Sequence, residues 1–165
     1  MNQRIIILLC LALCSIQTLT AAEQGDAMPD CTLSAAGSDT RYNLKSLQGK
    51  VLYVDFWASW CGPCAKSFPF LNNLDHEFKE RGLQIIGINL DEKSNDAQDF
   101  LAQYPANFKI ATDGNQQCAQ DFSVKAMPSS YLIDRKGHIR HIHLGFKAGE
   151  AEQLTALIEQ LLAEQ

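Results

Sequence analysis

Between Val51 and Trp57 the chain reads VLYVDFW, an apolar and aromatic run broken by one aspartate. A run of that kind predicts a strand buried on both faces rather than an alternating, half-exposed one. Leu83 to Leu90, rich in isoleucine, predicts a second buried strand. Between them Phe68, Leu71, Leu74 and Phe78 recur every three or four positions, the period of a helix, and Gly82 sits where a C-cap is expected. Pro69 inside this pattern is expected to kink the helix. Ala97, Phe100, Leu101 and Tyr104 mark one side of a short helix over 96–104, stopped by Pro105. Shorter signals predict strands at Cys31–Leu33 and Phe108–Ala111 and a helix over Asn115–Phe122. Residues 35–39 and 48–50 read as turns, with Arg41 to Leu47 leading into the second. Ser129–Ile133 and His138–Leu144 form a hairpin around Asp134-Arg135-Lys136-Gly137. Leu154, Leu157, Ile158, Leu161 and Leu162 share one face of a final helix.

The resulting order is β-β-α-β-α-β-α-β-β-α. Strands alternating with helices imply an α/β sheet covered by helices on both faces, and the terminal hairpin adds antiparallel strands to it. A length of 165 residues fits one domain, and 46% hydrophobic with 20% charged residues is ordinary for a globular chain. The net charge of −5, without any basic stretch, gives no sign of an electrostatic nucleic-acid interface.

The first residues, MNQRIIILLCLALCSIQTLTAAEQG, stand outside that pattern. Arg4 supplies a positive start, Ile5–Leu13 an apolar run, and Thr20-Ala21-Ala22 small residues for cleavage, so residues 1–22 read as a secretory signal. The run is short of the ~20 apolar residues of a membrane span. The alternatives are an uncleaved weak anchor, or lipidation at Cys14, against which Leu13 is large for the usual lipoprotein cut. Removing 1–22 takes away one charged residue, Arg4, leaving −6, and two of six cysteines, Cys10 and Cys14. Cys31, Cys61, Cys64 and Cys118 would then meet oxidising conditions, where three pairings are open to them.

Cys61 and Cys64 fall in WCGPC, where the buried strand gives way to the helix. A helix start carries roughly half a positive charge and free N–H groups, and both favour a thiolate. Cys61 is thus the candidate nucleophile. Cys64, one turn on, can resolve a mixed disulfide. Gly62 leaves room for a substrate, and Pro63 at the helix start sacrifices no hydrogen bond. Resolution needs a proton acceptor, and Asp55 is the candidate, because burial raises a carboxyl toward neutral pH. The plainer reading is a strand-end aspartate bonded to backbone. A zinc site wants four ligands, often as two close pairs, and covalent haem attachment wants CxxCH, whereas Ala65 follows Cys64.

VDFWASWCGPC resembles the active-site strand and helix of the thioredoxin superfamily. Pro69 matches the helix proline of thioredoxins, and Met127-Pro128 before SSYLID matches the cis-proline element. With the extra N-terminal strands, the inserted helix and the signal, residues 23–165 look like one thioredoxin-like domain of the exported TlpA/ResA type. The resemblance implies a central mixed sheet, a cis Pro128 facing the disulfide, a Met127 backbone that receives an extended peptide, and a Trp60 that shields the pair and touches partners. It also matches Asp55 to the buried aspartate of thioredoxins. ResA-type proteins carry glutamate three residues after the second cysteine. Ser67 stands there, which weakens a specific link to haem maturation. Gly62-Pro63 is thioredoxin-like and points to a reductant.

A second disulfide between Cys31 and Cys118 is the candidate structural bond; separate buried thiols are the alternative. His141 and His143 alternate onto one strand face and are read as a solvated face rather than as a copper or zinc site. His76 reads as exposed helix surface. The expectation is therefore a periplasmic, monomeric thiol:disulfide oxidoreductase that reduces protein disulfides. It carries no cofactor beyond its own Cys61–Cys64 pair and is fed electrons by a membrane thiol-transfer protein. An oxidase or isomerase using the same pair is one alternative, and a copper-binding assembly chaperone another.

Overall fold

The computed structural model describes residues 22–38 and 40–164. The expected signal, apart from Ala22, lies outside the described residues, as do Cys10, Cys14 and the turn residue Asp39. Seven strands form one sheet: β1 (Thr32–Ala35), β2 (Arg41–Asn43), β3 (Val51–Trp57), β4 (Leu83–Asn89), β5 (Lys109–Thr112), β6 (Ser129–Ile133) and β7 (Ile139–Leu144). The helices are α1 (Gly62–Phe78), α2 (Ser94–Gln103), α3 (Gln117–Asp121) and α4 (Ala151–Ala163). The spatial order is β2-β1-β5-β4-β3-β6-β7. β3, β4 and β5 are parallel, and β6, β7, β1 and β2 add antiparallel pairs at the two sides.

Every residue of β3 and β4 is buried, as their unbroken apolar runs predict. Alternation along β3 divides the core in two. Tyr53 and Trp57 face Phe68, Leu71 and Leu74 of α1, Phe100 of α2 and Ile158 of α4. Val54 and Phe56 face Cys118 and Phe122 of the α3 region and the N-terminal residues Met28 and Cys31. Helices thus cover both faces.

The differences from the sequence reading are local. Arg41–Asn43 forms a short edge strand, invisible to periodicity because three half-polar residues show no period. Asn43 then accepts the Lys45 N–H at 2.8 Å and starts a 3-10 turn over Leu44–Leu47. α2 begins at Ser94, two residues early. α3 is shorter than expected: Gln116, at φ 55°, bends away, and buried Asp113 caps the turn by accepting the Ala119 N–H at 2.8 Å. His138 belongs to the hairpin turn, held by Asp134 Oδ1 accepting the N–H groups of Lys136 and His138 at 2.9 Å each. Pro69 lies within α1, as its place in the helical pattern predicts.

Candidate active site

β3 ends at Trp57, and four residues later Cys61 caps α1. The Cys61 backbone is extended (φ −85°, ψ 96°), and its sulfur accepts the Cys64 N–H at 3.2 Å. This is the N-cap position, so the sulfur stands where a helix start stabilises negative charge. Cys61 and Cys64 are disulfide-bonded, with Cα atoms 5.3 Å apart. Cys61 is 4% exposed and Cys64 fully buried, so an incoming group reaches Cys61 first. A Cβ at Gly62 would meet open space, which leaves the approach clear. Ser67 is buried and donates to the Cys64 carbonyl at 3.0 Å.

The loop that presents Cys61 is tied to the end of β4. Asp91 accepts the Ser59 N–H at 2.9 Å and its hydroxyl at 2.9 Å, and the Asn89 side-chain amide donates to Asp91 at 2.7 Å. The sequence reading passed over these three residues. The polar Asn-x-Asp at the mouth of a buried strand was the available signal, and its partner lies 32 residues away.

Asp55 lies between Tyr53 and Trp57 on the α1 face of β3 and is wholly buried. Oδ1 accepts the Ser130 hydroxyl at 2.6 Å, and Oδ2 has no hydrogen-bond partner among the described residues. Burial raises the carboxyl from 3.8 to about 7, and the Ser130 hydrogen bond opposes that rise. The backbone-bonded strand-end reading of Asp55 is not what the structure contains; its partner is a side chain from β6.

Trp60 is 72% exposed. It lines a groove of about 500 Å³ together with Met127, Leu90, Ala119, Gln120 and Val124. The Met127–Pro128 bond is cis, and the Pro128 carbonyl accepts the Gly145 N–H at 2.8 Å. Phe146, the next residue, packs on Phe70 of α1 with ring centroids 5.5 Å apart. Trp60, the cysteine pair and the Met127-Pro128 segment, separated in sequence, are thus brought to one end of the sheet.

Cys31 and Cys118 are bonded to each other, Cα atoms 5.2 Å apart, joining the residue before β1 to α3 on the opposite face from α1. His141 and His143 are half-buried rather than solvated, their rings stacked at 6.2 Å. Burial and the neighbouring His143 hold the His141 imidazole below its usual range. Among the described residues no group of three or more histidine, cysteine or acidic side chains is placed to hold a metal ion. His76 is exposed on α1.

Residues 23–158 match the redoxin family. Thiol-disulfide oxidoreductase ResA of Bacillus cereus (strain ZK / E33L) is 33% identical over 121 residues, covering 73% of this chain and 69% of that protein. A crystal structure assigned to thiol:disulfide interchange protein DsbE of Chlorobium tepidum superposes with a TM-score of 0.82 at 41% identity. It spans 87% of this chain and all of that one. A solution structure assigned to a protein disulfide isomerase of Bacteroides thetaiotaomicron superposes at 0.79 with 26% identity, over 87% and 92% of the two chains. The fold is thioredoxin-like, and the chain belongs to the redoxin family as a thiol-disulfide oxidoreductase of the ResA and DsbE type, with Cys61 and Cys64 as its cysteine pair.

Proposed function

We propose that the protein is exported to the periplasm behind a cleaved signal at residues 1–22 and reduces protein disulfides there. The Cys61 thiolate attacks one sulfur of a substrate disulfide, forming a mixed disulfide and releasing the first substrate thiolate. Asp55 takes the Cys64 proton. The Cys64 thiolate then attacks Cys61, releases the second substrate thiolate and leaves the Cys61–Cys64 disulfide. Two electrons pass to the substrate, and a membrane thiol-transfer protein returns two to the enzyme. Trp60, Met127 and Pro128 hold the substrate segment beside Cys61.

The observation that carries this reading is the Cys61 sulfur, held at the start of α1 by the Cys64 N–H beside the groove of Trp60 and Met127. The reducing direction is supported by Gly62-Pro63 between the cysteines. Export is supported by the pattern of residues 4–22; no helix among the described residues is long and apolar enough to cross a membrane.

Cys64→Ser leaves no resolving thiol, so it is expected to accumulate substrates covalently on Cys61. Trapping that depends on Cys31 or Cys118 instead would overturn the assignment. A reduction potential near roughly −270 mV supports a reductant, and one near roughly −120 mV an oxidant.

A further inference from the structure

Among the described residues, one side chain hydrogen-bonds the buried carboxyl of Asp55. Beside it on β3 are Tyr53 and Trp57. The facing residue of β4 is Gly87, which has no side chain, and the apolar cluster on this face of the sheet includes Cys61, the N-cap of α1, and Cys64. Ser130 of β6 is the side chain that hydrogen-bonds it, at 2.6 Å. Tyr53 is no exit: it is itself buried, and burial, then the Asp55 charge, hold its phenol far above its usual range, with Ser130 opposing. The route therefore continues beyond Ser130 or stops there.

The sheet register places it further. Ser130 pairs with His143 of antiparallel β7, so both side chains point to the same face, with Cβ atoms roughly 5 Å apart. The His143 Nε2 atom is buried and lies 3.3 Å from Glu150 Oε2, within ion-pair reach though not in hydrogen-bond geometry. Glu150 precedes α4 and is held by accepting the Lys147 N–H at 3.0 Å, with its side chain 31% exposed. Also beside His143 is His141 on its own strand, stacked at 6.2 Å and set opposite apolar Leu132. The Gly145 N–H to Pro128 carbonyl bond fixes the end of β7 against β6 and holds this register.

We propose that His143 is the positioning residue through which Asp55 exchanges its proton with solvent, by way of the Ser130 hydroxyl and on to Glu150. The inference rests on Asp55 acting as the proton acceptor for Cys64. Once Asp55 has taken that proton, it passes it to the Ser130 oxygen as the Ser130 hydroxyl proton moves to the His143 imidazole. His143 releases a proton to Glu150, which passes it to water and is left ionised. Asp55 ends ionised, Ser130 unchanged and His143 neutral, with one proton delivered to solvent and no electrons moved.

The test is multiple-turnover reduction of insulin disulfides at saturating dithiothreitol, in weak buffer across pH 5–9. His143→Ala is expected to slow turnover about tenfold at neutral pH, less than the 10²–10⁴ of a group acting on the reacting atoms. Added imidazole should restore the rate. Ser130→Ala should be slowed as well and gain nothing from imidazole. Asp55→Asn combined with His143→Ala should be no slower than Asp55→Asn alone, because residues of one route are not additive. If Asp55→Asn is slow and His143→Ala keeps the wild-type rate and pH profile, the inference fails and the Asp55 reading stands. If both are silent, both fail. A slow His143→Ala that ignores imidazole and adds to Asp55→Asn is a structural effect and also overturns the inference. Should His143→Ala not fold, His143→Gln keeps the shape without the titration; slowing supports the route, and a wild-type rate overturns it.

Discussion

Asp55→Asn tests the central electrostatic feature directly. In the folded protein the carboxyl stands at about 7 against 3.8 for the free group. The fold therefore binds the proton more tightly than the unfolded chain does. Stability from this group is complete below pH ~3.8 and falls as pH rises, until the carboxyl is ionised in both states above about 7. At 1.36 kcal/mol per pH unit the full cost approaches about 4 kcal/mol at pH 8, and at pH 4 it is about 0.5 kcal/mol. Asparagine cannot ionise and removes this dependence. Its oxygen can still accept from Ser130, while its amide stands where Oδ2 had no partner, a penalty of about 1–3 kcal/mol at every pH. The offset is constant and the slope is the signal. Urea unfolding of the oxidised protein, wild type against Asp55→Asn, should show the difference moving in favour of asparagine by about 3–4 kcal/mol between pH 4 and pH 8. With a urea dependence of about 2 kcal/mol per molar, that is a midpoint shift of almost 2 M. A difference that stays flat with pH would refute the assignment of a raised, buried carboxyl.

Other outcomes can be checked separately. Trp60→Ala removes an exposed wall of the groove and leaves both cysteines in place, so KM for a protein disulfide should rise several-fold with kcat little changed; steady-state kinetics that show an unchanged KM count against the groove as a binding surface. Cys31→Ala with Cys118→Ala opens a link across 87 residues, a loss of about 4.6 kcal/mol by loop entropy, and should lower the thermal midpoint while the Cys61–Cys64 potential holds. Gly87→Ala would place a Cβ 3.0 Å from Ile110 and Phe108 and 3.1 Å from the Trp57 indole nitrogen, so destabilisation of about 1–3 kcal/mol by overpacking is expected in chemical denaturation.

The sheet's two central strands, three of the helices and the position of the cysteine pair were legible along the chain, because each rests on residues close in sequence. Unbroken apolar runs need cover on two faces, helical periodicity names its own buried side, and WCGPC is local to a strand-to-helix junction. Asp55 too was visible as a polar residue in an apolar strand. The sequence also narrowed the chemistry to thiol exchange through two cysteines one turn apart.

What surrounds that pair was decided by strand register and packing, which join residues far apart in the chain. The Asp55 partner lies 75 residues away, and periodicity carries no term for such a pairing. His141 and His143 read as a solvated face from alternation alone, yet α4 and Glu150 close over them. Four cysteines left three pairings open, and only the placement of α3 beside the start of β1 brings Cys118 to Cys31. The sequence determined that this protein exchanges thiols and where along the chain it does so. The tertiary structure decided which groups surround that site, because burial and cross-strand distance exist only once the sheet is assembled.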